Sequence, residues 1–260
     1  MDNKKIVLSV NNIKKSFGSV VALENVSFDI YKEEIVGLVG DNGAGKSTLI
    51  KIISGNFPPD SGEIFLEGKK VNFKSPIEAR RLGIETVYQD LSLCGNLSSA
   101  ANLYIGREIC KNIIGLKLIQ KKAMDKNTEE IMNKISITIP SVKEKVDFLS
   151  GGQRQAVALG RFVGWSERLS LLDEPTAALG INETKKVLQL INEIRREKKI
   201  AIIFISHNLE QLYKVVDRII VLRHGEVAGI REKNKTDPDE IVSLITGAAL
   251  IGNSWNKEGE

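Results

Sequence analysis

The stretch of sequence that decides the fold is Gly40-Asp41-Asn42-Gly43-Ala44-Gly45-Lys46-Ser47-Thr48. It fits the pattern G-x4-G-K-[ST] of a phosphate-binding loop, whose backbone N–H groups approach phosphate oxygens too closely for side chains at the glycine positions. The apolar run Ile35–Val39 before it predicts a strand, and a helical pattern begins near Ser47. A strand, a glycine-rich loop and a helix in this order favour a phosphate site over a glycine turn beside a solvated lysine.

Two side chains of this loop carry its predicted chemistry. Lys46 is expected to reach the β- and γ-phosphates of a nucleoside triphosphate, and Ser47 is expected to ligate Mg²⁺. The helix that follows directs the positive end of its dipole at the same anion. The loop therefore predicts a site for a nucleotide with its magnesium ion.

The second motif is an apolar strand that ends in two adjacent acids, Leu169-Ser170-Leu171-Leu172-Asp173-Glu174. Carboxylates at the end of a buried strand need a cation or hydrogen bonds, and Mg²⁺ is the natural partner here. We expect Asp173 to hold the metal, while Glu174, on the opposite side of the strand end, polarises the attacking water. An acid pair at a helix N-terminus before Pro175 is the alternative, and the phosphate loop weakens it.

The third motif is Leu149-Ser150-Gly151-Gly152-Gln153-Arg154-Gln155, in which a serine and two glycines begin a helical pattern. Here the sequence resembles the ABC ATPase family. The resemblance implies that Ser150, Gly151, Gly152 and Gln153 cap the γ-phosphate of an ATP bound by the opposite subunit, so that two ATPs are sandwiched between two such domains. Taken alone, these residues would indicate only an N-capped helix.

Three further positions match the family residue by residue. Gln89, after the predicted strand Ile84–Tyr88, resembles the glutamine that contacts Mg²⁺ or the lytic water and hinges the helical subdomain. His207 resembles the switch histidine that contacts the γ-phosphate, although a lone histidine is more often structural. Phe17 lies where the family places an aromatic side chain that stacks on adenine, and its alternative is a core phenylalanine.

The resemblance also implies the fold class. This is α/β: the P-loop NTPase fold of ABC ATPases, with a RecA-like core, an antiparallel β subdomain and an inserted helical subdomain. We predict an ATP-binding core with its β subdomain over 1–90 and 162–250, a helical subdomain with the signature motif over 91–161, and a loose tail over 251–260. Alternating strand-like and helical patterns after 162 predict a mostly parallel, covered sheet, whereas the strands are expected to stop within 91–161.

Composition limits the function classes. The chain has 260 residues, of which 42% are hydrophobic, and its formal charge of +4 comes from 37 basic and 33 acidic residues spread along the sequence. This spread favours a solvated surface and no nucleic-acid binding. Cys94 and Cys110 lack metal-ligand spacing, and a secreted chain with a disulfide framework would normally show more cysteines, so a reducing cytosol is favoured. No apolar run approaches the ~20 residues needed to cross a bilayer, so a membrane function would need a partner that supplies the crossing.

The turn after the two acids departs from the broad family, because Gly180 stands where most members have an aspartate. The run Ala177-Ala178-Leu179-Gly180, together with Glu78–Ile84 and Ile205–Asn208, instead resembles ATP-binding subunits of ribose, xylose and fructose importers. The resemblance implies a peripheral protein at the cytoplasmic face of the membrane that binds a permease, whose contact surface we place over residues 89–107. An external sugar-binding protein would be an indirect partner.

Only one phosphate loop and one signature occur in this chain, so two copies are needed and a homodimer is predicted. Three alternatives remain at this point: the ATPase of another transporter or of an exporter, a soluble translation or repair factor, and a purely structural nucleotide-binding module. The charged linker or long coiled coil of the soluble factors is not visible in the sequence, and Glu174 with His207 argues for hydrolysis over a structural role.

Overall fold

The apolar run before the glycine-rich loop forms the centre of a large sheet. The computed structural model describes residues 5–113 and 116–248. Twelve strands occur in these residues: β1 (Ile6–Phe17), β2 (Val20–Tyr31), β3 (Ile35–Val39), β4 (Ser61–Leu66), β5 (Lys69–Val71), β6 (Ile84–Val87), β7 (Cys110–Ile113), β8 (Leu116–Ile119), β9 (Leu169–Asp173), β10 (Ala201–Ile205), β11 (Arg218–Arg223) and β12 (Glu226–Glu232).

Helices connect these strands and cover the sheet. The described α-helices are α1 (Lys46–Ile53), α2 (Pro76–Arg81), α3 (Ser99–Tyr104), α4 (Lys121–Ile135), α5 (Gly151–Trp165), α6 (Ile181–Lys198), α7 (Leu209–Val215) and α8 (Pro238–Thr246). The last begins with Pro238 at its first position, and the Asp237 carboxylate accepts a hydrogen bond from Glu240 N. The predicted tail over 251–260 lies outside the described residues.

Ten strands form one sheet in the order β5-β4-β1-β2-β12-β11-β3-β10-β9-β6. β3 pairs in parallel with both β10 and β11, and β9 pairs in parallel with β10 and β6. The carboxyl ends of β3, β9 and β10 therefore lie at one edge of the sheet, where ligands of open α/β sheets bind. This confirms the predicted parallel core.

The N-terminal strands form the predicted antiparallel part of the sheet. β1 pairs antiparallel with β2 and β4, and β4 pairs antiparallel with β5. This antiparallel part joins the rest of the sheet through the pairing of β2 with β12. Among the described residues, that pairing consists of one residue pair, Asn25 with Glu226. The predicted α/β fold is thereby confirmed in both its parallel and its antiparallel components.

Two hydrophobic layers enclose the parallel strands. Along β10, Ile202 and Phe204 pack into the first layer with α3, α4, α5 and α6, whereas Ile203 and Ile205 pack into the second layer with α1. All of these side chains are at most 2% exposed. Strands buried on both faces have no polar side, which is why they appear in the sequence as continuous apolar runs.

The segment 91–161 is mostly helical, with one departure from the prediction. The expectation that strands stop there is wrong, because β7 and β8 form an antiparallel hairpin before α4. The predicted boundary at 161/162 falls inside α5, and the division into subdomains stays a prediction. Cys94 and Cys110 are exposed free thiols. Within the described residues, no helix is both long enough and apolar enough to span a bilayer.

Candidate functional site

The glycine-rich loop leaves β3 in a conformation that only glycine tolerates easily. Gly45 has φ +103°, and a Cβ atom there would lie 2.6 Å from the carbonyl oxygen of Ala22. Within the loop, Lys46 Nζ donates to the carbonyl oxygens of Gly40 at 2.6 Å and Asp41 at 2.9 Å. Burial lowers the pKa of Lys46, an effect countered by the neighbouring Asp173, Asp41 and Glu174. The ammonium group therefore lies across the loop, where an anion would be received.

A pocket of about 380 Å³ opens beside this loop. It is lined by Ser47, Lys51, Tyr88, Gln89, Asp90 and Asp173. The structure thus brings together the three predicted metal-binding residues, which belong to α1, the segment after β6 and the end of β9. Sequence reasoning missed Lys51, Tyr88 and Asp90. The signal for Lys51 is its spacing of four residues from Ser47, which places both side chains on one face of α1.

The donor atoms of this pocket fit a magnesium ion. Asp173 is 6% exposed, and burial, reinforced by the adjacent Glu174 carboxylate, raises its pKa to about 6. A bound divalent cation would offset the cost of keeping this carboxylate ionised. A serine hydroxyl, a carboxylate and a carboxamide oxygen are the hard oxygen donors that Mg²⁺ prefers, and it keeps water molecules in its remaining positions.

Glu174 and His207 meet at the carboxyl ends of the adjacent strands β9 and β10. Glu174 has φ +50°, and its N–H donates to the carbonyl oxygen of Ile205 at 3.1 Å. Its Oε1 accepts the backbone N–H of His207 at 2.8 Å and lies 2.7 Å from His207 Nδ1. The left-handed backbone thus turns this carboxylate toward His207, whereas Asp173 faces the pocket beside Ser47.

The accessibilities of this pair differ. The side chain of Glu174 is 10% exposed and that of His207 is 83% exposed. A carboxylate with one oxygen occupied by a histidine retains a second oxygen that can accept a proton from water. Neither Glu174 nor His207 lines the pocket of Ser47 and Asp173. The Glu174–His207 pair and the predicted metal-binding residues therefore lie on separate sides of the strand end.

The signature motif begins α5 with a capping box. Ser150 Oγ accepts from Gln153 N at 3.3 Å, while Gln153 Oε1 accepts from Ser150 N at 3.0 Å. Gly151 and Gly152, which follow the cap, have no side chains that could cover the helix end. The remaining N–H groups of the first turn therefore face outward from an exposed end of the helix. None of these four residues lines the pocket beside the phosphate loop of the same chain.

The start of α5 instead contacts the turn after Glu174. A Cβ atom at Gly152 would lie 3.4 Å from the carbonyl oxygen of Ala178, and Gln155 Nε2 donates to the carbonyl oxygen of Glu174 at 3.5 Å. Gly180 ends this turn with φ −69°, so its backbone does not require glycine. A Cβ atom there would come within 2.6 Å of Glu183 Oε2, so the Glu183 side chain would have to move.

Phe17 lies at the end of β1 and is not a core residue. Its side chain is 49% exposed, and its ring packs edge-on against Phe57 with 5.4 Å between the ring centroids. Lys15 Nζ lies 5.6 Å from the centroid of each ring. An exposed aromatic face held in place by a second ring is a platform on which a purine can stack.

An ion pair between the buried Glu85 and the partly exposed Arg107 links β6 to the segment after α3 and was missed in the sequence. Arg107 Nη2 lies 2.7 Å from Glu85 Oε2, and its guanidinium lies 5.7 Å from the ring centroid of Trp165 at the end of α5. Burial raises the pKa of Glu85, an effect countered by Arg107. Nearby, Arg161 of α5 donates to the carbonyl oxygen of Ser92. These contacts tie the segment after Gln89 to the helix that begins with the signature.

Comparison with known proteins gives three consistent findings. The family model described as ABC transporter matches residues 23–177. A xylose/arabinose import ATP-binding protein of Sulfolobus acidocaldarius is 46% identical over 94% of this chain and 95% of its own length. A fructose import ATP-binding protein of Rhizobium meliloti is 44% identical over 93% of this chain and 94% of its own length.

Solved structures agree at the level of fold. An ATP-binding cassette of an ABC transporter in its ADP conformation superposes with a TM-score of 0.76 at 25% identity, over 93% of this chain and 99% of the other. A dimeric ATP-binding cassette in a post-hydrolysis state with ADP and Pi gives 0.74 at 26% identity, over 87% and 98% of the two chains.

Proposed function

Because this chain belongs to the ABC transporter family, we propose that it is the ATP-hydrolysing subunit of an importer that moves a monosaccharide through a membrane permease. The names of its relatives support the choice of a sugar as cargo, and the selectivity for one sugar would reside in the permease and an external binding protein. The chain would act at the cytoplasmic face of the membrane as a peripheral subunit.

The observation that carries the ATPase proposal is the arrangement at the ends of β9 and β10. A carboxylate turned toward a histidine stands next to a lysine-bearing phosphate loop, within one edge of a parallel sheet. Hydrolysis of a phosphoanhydride needs a group that orients water and cations that hold the phosphates, and both kinds of group are present. A module that only binds nucleotide would not need Glu174.

Each residue of the site would have a distinct role in ATP hydrolysis. The N–H groups of residues 40–48 and the Lys46 ammonium would bind the β- and γ-phosphates, and Phe17 would stack on the adenine. Glu174 would accept hydrogen bonds from the attacking water and orient it in line with the γ-phosphate. His207, hydrogen-bonded to the same carboxylate, would fix the orientation of Glu174 and contact the γ-phosphate.

Mg²⁺ would be held by Ser47, Asp173 and Gln89. Its chemistry would be to neutralise charge on the β- and γ-phosphate oxygens. Gln89 lies in the segment that Arg161 ties to α5, so binding at the pocket and the position of the helical subdomain would be linked through this chain's own hydrogen bonds.

The signature motif would act on the nucleotide of a second copy. Ser150–Gln153 form an exposed helix N-terminus that lies outside the pocket of their own chain. Two copies related by a twofold axis would place each signature over the other's phosphate loop, so ATP would close the homodimer and hydrolysis would open it. Closure would move the surface over 89–107 that we assign to the permease.

Substitution of the proposed water-orienting residue tests the hydrolysis. Glu174→Gln should lower ATP turnover by about 100-fold or more, because the amide cannot accept the proton, while ATP binding is retained. The trapped nucleotide should also shift the protein to a dimer in analytical ultracentrifugation. Glu193→Gln, an exposed acid of α6, is the matched control and should leave both readouts unchanged. Undiminished turnover of Glu174→Gln would refute the role of Glu174.

The transport assignment has its own test. The Glu174→Gln variant should be used with ATP for affinity capture from detergent-solubilised native membranes, followed by mass spectrometry. A multi-spanning permease with a sugar-binding protein is the expected result. Recovery of only ribosomal or DNA-repair proteins would leave the ATPase chemistry standing and reject the importer.

A further inference from the structure

The hairpin of β7 and β8 carries an apolar surface that the ATPase site does not use. Its register pairs Ile113 with Leu116 and Lys111 with Leu118. Because side chains alternate across a strand, these four residues share one face, which we call the hairpin face. Ile113, Leu116 and Leu118 are 40%, 68% and 48% exposed.

The base of the hairpin is fixed, while the hairpin face is uncovered. Ile109 at its base packs against the first hydrophobic layer, and its carbonyl oxygen accepts from Gln120 N at 2.7 Å. An isolated two-stranded hairpin is only marginally stable in water. Single exposed leucines are common, but three adjacent large aliphatic side chains on an exposed face mark a surface that meets another partner.

The charges around the hairpin face identify the kind of partner. Residues 109–124 contain four lysines and no acid: Lys111 on the hairpin face, Lys117 on the opposite face of the same hairpin, and Lys121 and Lys122 at the start of α4. All four are exposed, and none forms an ion pair with a described residue. Aliphatic side chains flanked by unpaired ammonium groups match a surface that is apolar in its interior and anionic at its boundary.

We propose that the hairpin face docks on the anionic headgroup surface of the lipid bilayer. Leu116 and Leu118 enter the boundary between headgroups and acyl chains, and the lysines bind the acidic headgroups around them. The chain would then contact the membrane directly, in addition to any permease. This inference does not rest on the proposed sugar import, because it concerns a surface outside the nucleotide site and needs no nucleotide.

Co-sedimentation with protein-free vesicles tests the proposal. The full chain, without nucleotide, should bind vesicles of phosphatidylglycerol and phosphatidylcholine, with affinity that falls as salt rises, and should not bind phosphatidylcholine alone. The double variant Leu116→Asp/Leu118→Asp should lower the partition coefficient about tenfold or more. Lys111→Gln/Lys117→Gln should weaken binding by a similar factor while the apolar side chains remain.

Controls separate lipid docking from damage to the fold. Ile77→Asp replaces an aliphatic side chain that is 57% exposed on α2 and should leave vesicle binding unchanged. All variants should keep the urea midpoint of the parent chain. Absence of binding to the anionic vesicles, or binding that the hairpin variants do not change, overturns the proposal. Variants that lose binding to native membranes but keep it on protein-free vesicles would assign the hairpin face to a membrane protein instead.

Discussion

At the scale of single residues, the pair of Glu85 and Arg107 shows how burial sets a pH dependence. Arg107→Met would leave the Glu85 carboxyl buried without its cation and should destabilise the protein by about 3 kcal/mol at neutral pH. Burial raises the pKa of Glu85 above its unfolded value, and loss of Arg107 raises it further. The folded state then holds the proton more tightly, so stability falls as pH rises through that pKa.

The measurement is urea unfolding of both proteins at pH 5 and pH 8. The loss caused by Arg107→Met should be larger at pH 8, where the carboxyl is ionised, and smaller at pH 5, where protonation relieves it. Adding Glu85→Gln to the variant should recover part of the stability and remove the pH dependence. An equal loss at both pH values would show that the contact with Trp165, and not the ion pair, carries the stabilisation.

The sequence predicted some residues of the site and missed others for a physical reason. Ser47, Gln89 and Asp173 line one pocket as expected, because each follows a strand or begins a helix at a predictable edge of a parallel sheet. The pairing of Glu85 with Arg107 leaves no local pattern, because tertiary packing alone brings these residues together.

At the scale of elements, the start of α5 has two separable roles. Its capping box stabilises the helix, and its free N–H groups would bind a phosphate of the partner copy. Ser150→Asp keeps a good N-cap, so stability should change by less than ~0.5 kcal/mol, but the added negative charge should repel the γ-phosphate. ATP turnover should fall by about 100-fold, since like charges in contact cost several kcal/mol.

Urea unfolding and ATP turnover of Ser150→Asp check this expectation together. Ser75→Asp at the N-cap of α2 is the matched control, because Ser75 Oγ accepts from Glu78 N in the same way and lies outside the site. That control should leave turnover unchanged. If Ser150→Asp hydrolysed ATP at the parental rate, the helix start would be a structural cap only.

The sequence predicts strands well where both faces of the strand are buried, and poorly where the surrounding fold determines whether a segment becomes a strand or a helix. The runs that became β3 and β10 are apolar throughout, and β9 is apolar except for Ser170 and its last residue, Asp173, as burial on both faces of a sheet favours. The hairpin of β7 and β8 mixes lysines with aliphatic residues and has no buried side, so its short alternation was read as part of a helical region.

At the scale of the whole molecule, two copies should complement each other. In a mixture of Lys46→Ala with Ser150→Asp, the mixed dimer would have one site with both defects and one site with neither. Since half of the dimers in an equal mixture are mixed, roughly a quarter of the sites would be competent, although each variant alone is inactive. Steady-state ATP turnover of the mixture against each pure variant is the measurement. No recovery on mixing, at concentrations where the dimer forms, would argue against sites shared between copies.

The narrow junction between β2 and β12 has a mechanical consequence. Among the described residues, the antiparallel strands and the parallel strands share the one pair Asn25 and Glu226. Phe17 stands on the antiparallel side and Lys46 on the parallel side of this junction. Phe17 and Lys46, which we propose to hold the two ends of one ATP molecule, therefore lie on opposite sides of this single backbone pairing. A small rotation between β2 and β12 would change the distance between these two residues while the strand pairings on either side stay intact.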